Sequence, residues 1–78
     1  MKLQIISTDG IIFDGEATKV TLPGALGLFT ILENHASLLS TLTKGVMEYE
    51  SAGNLLTINI SGGFVDVNNN VVSVCISL

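Results

Sequence analysis

The sequence predicts an all-β protein that folds as a sandwich or a barrel of short strands. Apolar and polar residues alternate with a period of two in almost every segment, which is the pattern of half-buried strands. Turn-forming residues interrupt this alternation about every 6–12 residues, as they do in sandwiches and barrels. The 78 residues leave room for one domain, and we expect it to span residues 1–78.

Four strands are expected in the first half of the chain. Turn signals end the first three of them, at Asp9-Gly10, Asp14-Gly15 and Pro23-Gly24. The third strand alternates regularly, so Val20 and Leu22 are expected on its buried face. The four predicted strands cover residues 3–8, 11–13, 16–22 and 27–32.

Residues 33–42 are the one stretch that could instead form a helix. The stretch is short, rich in Ser and Thr, and has no apolar stripe at a spacing of three and four residues. We therefore predict a break at residues 33–35 and a strand over residues 36–42.

Four more strands are expected in the second half. A hairpin loop at residues 51–54 and an asparagine turn at residues 68–70 separate them, because Asn tolerates a positive φ better than most residues. The predicted buried faces are Met47 and Tyr49, then Leu56, Ile58 and Ile60, then Val72, Val74 and Ile76. The predicted strands cover residues 46–50, 55–60, 64–67 and 71–78.

The composition points to a subunit of a larger assembly. Hydrophobic residues make up 47% of the chain and charged residues only 13%, whereas about 25% is usual for the charged fraction. A domain this small has little interior, so we expect part of its apolar surface to form an interface. The alternative is a monomer whose exposed apolar residues are scattered.

The charges and the cysteine count exclude several classes of protein. Seven acidic residues against three lysines, with no arginine, give a net charge of −4, which argues against binding nucleic acid or anionic lipid. The single cysteine cannot form an internal disulfide, and Cys and His are too few for a structural zinc site. No segment is long and apolar enough to span a membrane, and no signal-peptide pattern is present, so we expect a cytoplasmic location.

No residue pattern indicates catalysis or a bound cofactor. Glu33 and His35 could form a general acid–base pair, but the surrounding residues do not form the pattern of a nucleophile site and supply no second acid–base partner, so we expect no catalytic residue. The glycines of residues 24–29 lack the Gly-Lys-Ser/Thr of a phosphate-binding loop. Two interpretations of these residues remain open: Phe29 and one leucine pack into the core, or the loop is an apolar contact surface.

Six short motifs, in this order along the chain, resemble the N-terminal β-sandwich domain of the epsilon subunit of F-type ATP synthase. They are Thr8-Asp9-Gly10 with Phe13 and Gly15, Val20-Thr21-Leu22-Pro23-Gly24 with Gly27, Asn34-His35-Ala36 with Leu38-Leu39, Lys44-Gly45-Val46, Ser61-Gly62-Gly63-Phe64-Val65 with Val67, and Asn70 with Val72. The resemblance covers essentially the whole chain. It implies a flattened β-sandwich of about ten short strands.

The resemblance also implies a function. The family's epsilon subunit is a non-catalytic part of the central stalk, which binds gamma and the c-ring and couples ion-driven rotation to ATP synthesis, peripheral to the cytoplasmic face of the bacterial inner membrane. Carried over by position, the gamma-binding residues are Ser7, His35, Ala36, Leu39 and Ser40, and the c-ring-binding residues are Ala25, Leu26 and Leu28. Neither a cofactor nor a metal is implied.

The family usually continues into a two-helix C-terminal domain, and this sequence contains no amphipathic helical pattern. We therefore expect a short form without that domain, which couples rotation but does not switch. Two other classes of protein stay open from the residues alone. One is a small ligand-binding β-barrel with the leucine-rich loop at its mouth, or another β-sandwich interaction module. The other is a small hydrolase that uses Glu33 and His35.

Overall fold

A computed structural model describes residues 1–78 and consists of nine β-strands joined by short turns, with no helix. The all-β prediction is thus confirmed, and nine strands agree with the number that the resemblance implies. The strands are β1 (Lys2–Ser7), β2 (Gly10–Glu16), β3 (Lys19–Gly24), β4 (Gly27–Leu32), β5 (Leu38–Leu42), β6 (Gly45–Ser51), β7 (Asn54–Ile60), β8 (Gly62–Asn68) and β9 (Val71–Ser77).

The strands form one curled sheet in the order β2-β1-β9-β8-β5-β3-β6-β7, with β4 paired to β3 outside that path. Every pair is antiparallel except β1 and β9, which run parallel with Leu3 opposite Val72. The sheet curls until its two ends approach each other. The rings of Phe13 in β2 and Tyr49 in β6 accordingly lie 4.8 Å apart. The two halves of the sheet therefore enclose a single core.

The core is the inward face of this curled sheet. The alternation predicts it correctly in β3, β6 and β9, where every second residue is buried as expected. No polar or charged residue is buried. The sixteen core residues are Met1, Leu3, Ile5, Ala17, Val20, Leu22, Ile31, Leu42, Met47, Tyr49, Ile60, Val65, Val67, Val72, Val74 and Ile76.

Two predicted turns lie inside strands. Asp14-Gly15 does not end β2, because β1 provides partners for both residues and the strand continues to Glu16. Pro23-Gly24 forms the buried end of β3, opposite residues 27–28 of β4. A pairing partner on the neighbouring strand outweighs the local turn preference in both cases. The predicted strand over residues 16–22 is consequently wrong at its start, since β3 begins at Lys19.

Two further expectations are wrong in detail. Residues 36–37 are not part of β5, which begins at Leu38. On β7 only Ile60 is buried, while Leu56 is exposed and Ile58 is half-buried. This strand is the last of the sheet and pairs only with β6, so most of it extends past the core.

Candidate interaction surface

An open apolar groove of about 1000 Å³ lies between the β3–β4 hairpin and strand β5. None of its lining residues is Asp, Glu, Lys or Arg, and His35 is its one histidine. The groove brings together six of the eight residues that the sequence predicts as interface residues. They are Ala25, Leu26, Leu28, His35, Leu39 and Ser40.

The groove begins where the pairing of β3 with β5 ends. They pair only at Gly24 and Leu42, where the Ala25 N–H donates to the Thr41 carbonyl over 3.3 Å and the Thr43 N–H donates to the Pro23 carbonyl over 2.8 Å. Beyond Gly24 the chain turns into β4, and the groove lies between residues 24–29 of this hairpin and residues 38–41 of β5. The point at which the hydrogen bonding between β3 and β5 ends therefore determines where the groove lies.

The β3–β4 hairpin presents leucines on the rim of the groove. Leu26, at the tip, is completely exposed, and Leu28 is 73% exposed. Phe29 packs against the core over Gly24, where a Cβ atom would lie only 2.7 Å from the phenyl ring. Phe29 thus belongs to the core, while both leucines face solvent. The expectation that Phe29 packs against the core is therefore confirmed, and the expectation that one leucine joins it is wrong, because Leu26 and Leu28 are both exposed.

Strand β5 supplies the facing wall. Leu39 is 75% exposed, because the alternation of β5 turns it away from the core and toward solvent. Ser40 is half-buried, and its hydroxyl donates to the Thr41 carbonyl over 3.1 Å. A surface made of exposed leucines with few polar groups loses little hydration when it is covered, so covering it is favourable.

Phe64 is an interface candidate that the sequence analysis missed. It lies on β8 opposite Thr41 of β5 and Cys75 of β9, and it is 49% exposed. It lines the groove and also a smaller pocket of about 320 Å³ that contains Ser7. The sequence does place Phe64 on the outward face of its strand, because Val65 and Val67 take the inward positions. A large aromatic side chain is unusual on a solvated face, and this was the signal that could have identified Phe64.

The two remaining predicted residues lie outside the groove. Ser7 lines the smaller pocket, and its hydroxyl accepts a hydrogen bond from the Asp9 N–H over 3.2 Å. Ala36 is exposed in the loop between β4 and β5. Phe64 connects the Ser7 pocket to the groove, so seven of the eight predicted residues lie along one continuous surface.

His35 and Glu33 do not form an acid–base pair. The Nδ1 atom of His35 lies 2.7 Å from the carbonyl oxygen of Ala36, and its backbone N–H donates to the Leu32 carbonyl over 3.2 Å. The Glu33 carboxylate instead binds the amino group of Met1 and the side chain of Asn70. No group of three or more His, Cys, Asp or Glu side chains could hold a metal ion.

The Glu33 contacts change the ionisation of both partners. The hydrogen bond from the Met1 amino group, with a further one from Asn70, holds the pKa of Glu33 below its ordinary value of 4.5. The same bond with Glu33 raises the pKa of the Met1 amino group above its ordinary value of 8.0. The amino group also donates to the Ala17 carbonyl over 3.1 Å, which ties the start of the chain to the segment between β2 and β3.

The contribution of this ion pair to stability should depend on pH at both ends of the range. Because the pKa of Glu33 is lower in the folded state, its carboxylate stabilises the fold above pH 4.5, and this stabilisation is lost as the pH falls through the folded-state pKa. Because the pKa of the Met1 amino group is higher in the folded state, this group stabilises the fold below pH 8.0, and that stabilisation is lost as the pH rises through the folded-state pKa. We therefore expect Glu33→Gln to reduce the free energy of urea unfolding most near neutrality. An equal difference from wild type at about pH 3 would contradict this.

The fold and this surface define the class of protein. The chain is a small β-sandwich domain whose main concavity is open, apolar and lined by exposed leucines, which suits contact with another macromolecule better than enclosure of a small ligand. The structure has no helix of the length and hydropathy that crossing a bilayer requires.

The family described as "ATP synthase, Delta/Epsilon chain, beta-sandwich domain" matches residues 1–77, and the chain belongs to this family. The ATP synthase epsilon chain of Leptospira borgpetersenii is 39% identical over 74 residues, which cover 95% of this chain and 58% of that relative. The epsilon chain of Nitratiruptor sp. is 45% identical over 71 residues, which cover 90% of this chain and 55% of that relative.

A solved structure supports the same fold. A chain in the cryo-EM structure of the Euglena gracilis mitochondrial ATP synthase in rotational state 1 superposes with a TM-score of 0.90 at 28% identity. The superposition covers 97% of this chain and 49% of that one. The chain described here thus spans little more than half the length of the curated relatives that it matches.

Proposed function

We propose that the chain is the β-sandwich part of a rotor subunit in the central stalk of an F-type ATP synthase. In this role it binds gamma and the c-ring, transmits ion-driven rotation to ATP synthesis, and carries no catalytic site of its own. The observation that supports the proposal is the groove: residues assigned to the two interfaces from the sequence line one apolar surface. Covering that surface removes exposed apolar area from water, which favours binding.

The two partners are assigned to the two sides of this surface. Gamma is proposed to contact the β5 side and its extension through Phe64, by way of Ser7, His35, Ala36, Leu39 and Ser40. The c-ring is proposed to contact the tip of the β3–β4 hairpin at Ala25, Leu26 and Leu28. Leu26 at the hairpin tip is completely exposed, so a second partner could reach it while gamma covers β5.

The proposed location is the cytoplasmic face of a bacterial inner membrane, to which the chain is attached through the complex. Its net charge of −4 gives anionic lipid no electrostatic attraction, so gamma and the c-ring would provide the attachment.

Co-purification from membranes tests this function. The tagged chain, expressed in cells that assemble the synthase, should carry gamma with it after detergent extraction. Leu55→Asp is a matched control, because Leu55 is an exposed leucine on β7, away from the groove, and should retain gamma. A chain that purifies alone as a monomer and holds an apolar small molecule would instead support the ligand-binding alternative.

His35 is expected to act in assembly rather than in chemistry. His35→Ala should leave ATP hydrolysis by the assembled synthase within about threefold of wild type, because the imidazole has no nucleophile or carboxylate partner. The same variant should yield less assembled complex, since the ring lines the groove. A fall in turnover of about a hundredfold with assembly intact would be the effect of a general acid–base group and would contradict the expectation.

A further inference from the structure

The loop that joins β4 to β5, residues 33–37, carries two of the proposed gamma-binding residues, His35 and Ala36. No neighbouring strand pairs with it, and all five of its residues are exposed. A loop of this kind is normally mobile, so binding through it would require it to be ordered. The contacts that hold it in place therefore bear directly on affinity.

One side chain from a different part of the chain makes two of those contacts. The Asn70 Oδ1 atom accepts a hydrogen bond from the backbone N–H of Asn34 over 2.8 Å. Its Nδ2 atom donates to Oε2 of Glu33 over 3.0 Å. Both bonds reach residues directly before His35, and both come from the turn between β8 and β9.

We propose that Asn70 is a positioning residue, which fixes the 33–37 loop in the conformation that docks on gamma. The inference rests on the proposed function only where it concerns binding to gamma. Whether Asn70 orders the loop can be measured in the free domain. By holding the loop before the partner arrives, Asn70 reduces the conformational entropy that binding must remove.

The position requires both properties of an asparagine. Its backbone has φ +61°, in the left-handed region that Asn adopts more readily than other non-glycine residues. Its amide is a donor and an acceptor at once, which the pair of contacts with Glu33 and Asn34 needs. Asn69 beside it has φ +52° but forms no side-chain hydrogen bond with the loop. It is therefore a matched control for the backbone conformation.

The first experiment removes the amide without straining the turn. Glycine accepts a positive φ, so Asn70→Gly and Asn69→Gly both preserve the backbone. We expect Asn70→Gly to weaken binding of the domain to isolated gamma by about tenfold, the effect of two lost hydrogen bonds of ordinary net strength. It should also speed hydrogen exchange at the Asn34 amide. Asn69→Gly should leave both measurements at their wild-type values.

The second experiment reverses the polarity of the contact between Asn70 and Glu33. In Asn70→Asp the introduced carboxylate faces that of Glu33, so binding and Asn34 protection should fall. Adding Glu33→Gln gives a side-chain amide that donates to one oxygen of the introduced carboxylate, while the other oxygen of that carboxylate continues to accept from the Asn34 N–H. Glu33→Gln also removes the ion pair with the Met1 amino group, so the reference for the double variant is Glu33→Gln alone. The double variant should bind gamma and protect the Asn34 amide nearly as well as that single variant. A general loss of stability would not be rescued in this way.

Two outcomes would overturn the proposal. One is unchanged exchange at Asn34 in Asn70→Gly, which would mean that the side chain does not hold the loop. The other is faster exchange with unchanged affinity for gamma, which would mean that loop order does not matter for docking. Failure of the wild-type domain to bind gamma would overturn the proposed function instead, and exchange at Asn34 in the free domain would still decide whether Asn70 positions the loop.

Discussion

Replacing Gly63 with alanine should destabilise the domain by at least about 3 kcal/mol, a large share of the roughly 4–12 kcal/mol expected for a chain of this length. Gly63 has φ +145°, and a Cβ atom there would lie 2.1 Å from the carbonyl oxygen of Cys75 and 2.9 Å from the Cα atom of Ile76. Both atoms belong to the backbone of β9, so no side-chain rotation relieves the overlap. The β8–β9 ladder must separate locally.

The adjacent glycine provides the control. A Cβ atom at Gly62 would lie 3.5 Å from the Leu42 carbonyl oxygen, an ordinary contact, and Gly62 has no positive φ. Gly62→Ala should therefore change the free energy of unfolding by no more than about 1 kcal/mol. Urea unfolding of the three proteins, followed by circular dichroism, measures the difference. Equal stability of the two variants would show that β8 and β9 can move apart at little energetic cost.

Leu39→Asp should abolish binding to gamma without unfolding the domain. Leu39 is 75% exposed, so the substitution should cost at most about 1 kcal/mol of stability. Against an apolar partner surface the new carboxylate would be buried without a counterion, at a cost of several kcal/mol. Since about 1.4 kcal/mol corresponds to a tenfold change, affinity should fall by at least about a hundredfold. Surface plasmon resonance with isolated gamma measures the change.

Two other leucines separate the proposed interfaces. Leu28→Asp, on the hairpin side of the groove, should reduce ion-driven ATP synthesis while leaving affinity for gamma within a few fold of wild type. Leu55→Asp, on β7, should affect neither measurement. If Leu28→Asp weakens gamma binding as strongly as Leu39→Asp does, gamma covers the entire groove, and the c-ring must contact the protein elsewhere.

The alternation of residues predicts the fold class and most of the core correctly. Val20, Leu22, Met47 and Tyr49 are buried because a strand with one face on the core shows its period directly in the sequence. The period fails for Leu56, whose strand extends past the core at the end of the sheet. Local turn signals likewise fail at Asp14-Gly15, where β1 pairs with both residues.

The arrangement of the interaction surface depends on contacts between distant residues and could not be predicted locally. The approach of the β3–β4 hairpin to β5, which forms the groove, follows from a pairing limited to Gly24 and Leu42. Asn70 lies 36 residues from the Asn34 amide that it holds. The proposed interface residues come from the resemblance to a family, but neither it nor the alternation indicates that Phe64 connects them.

The parallel pairing of β1 with β9 determines when the domain can fold during synthesis. Leu3 and Val72 are about 70 residues apart, so β1 has only β2 as a neighbour in the sheet until β9 has left the ribosome. At about 5–20 residues per second, the backbone edge of β1 that pairs with β9 stays without its partner for several seconds. Closing so long a loop also makes folding slow. Since an unpaired strand edge can pair with another chain, the nascent chain should depend on chaperones that shield this edge of β1 until β9 is made.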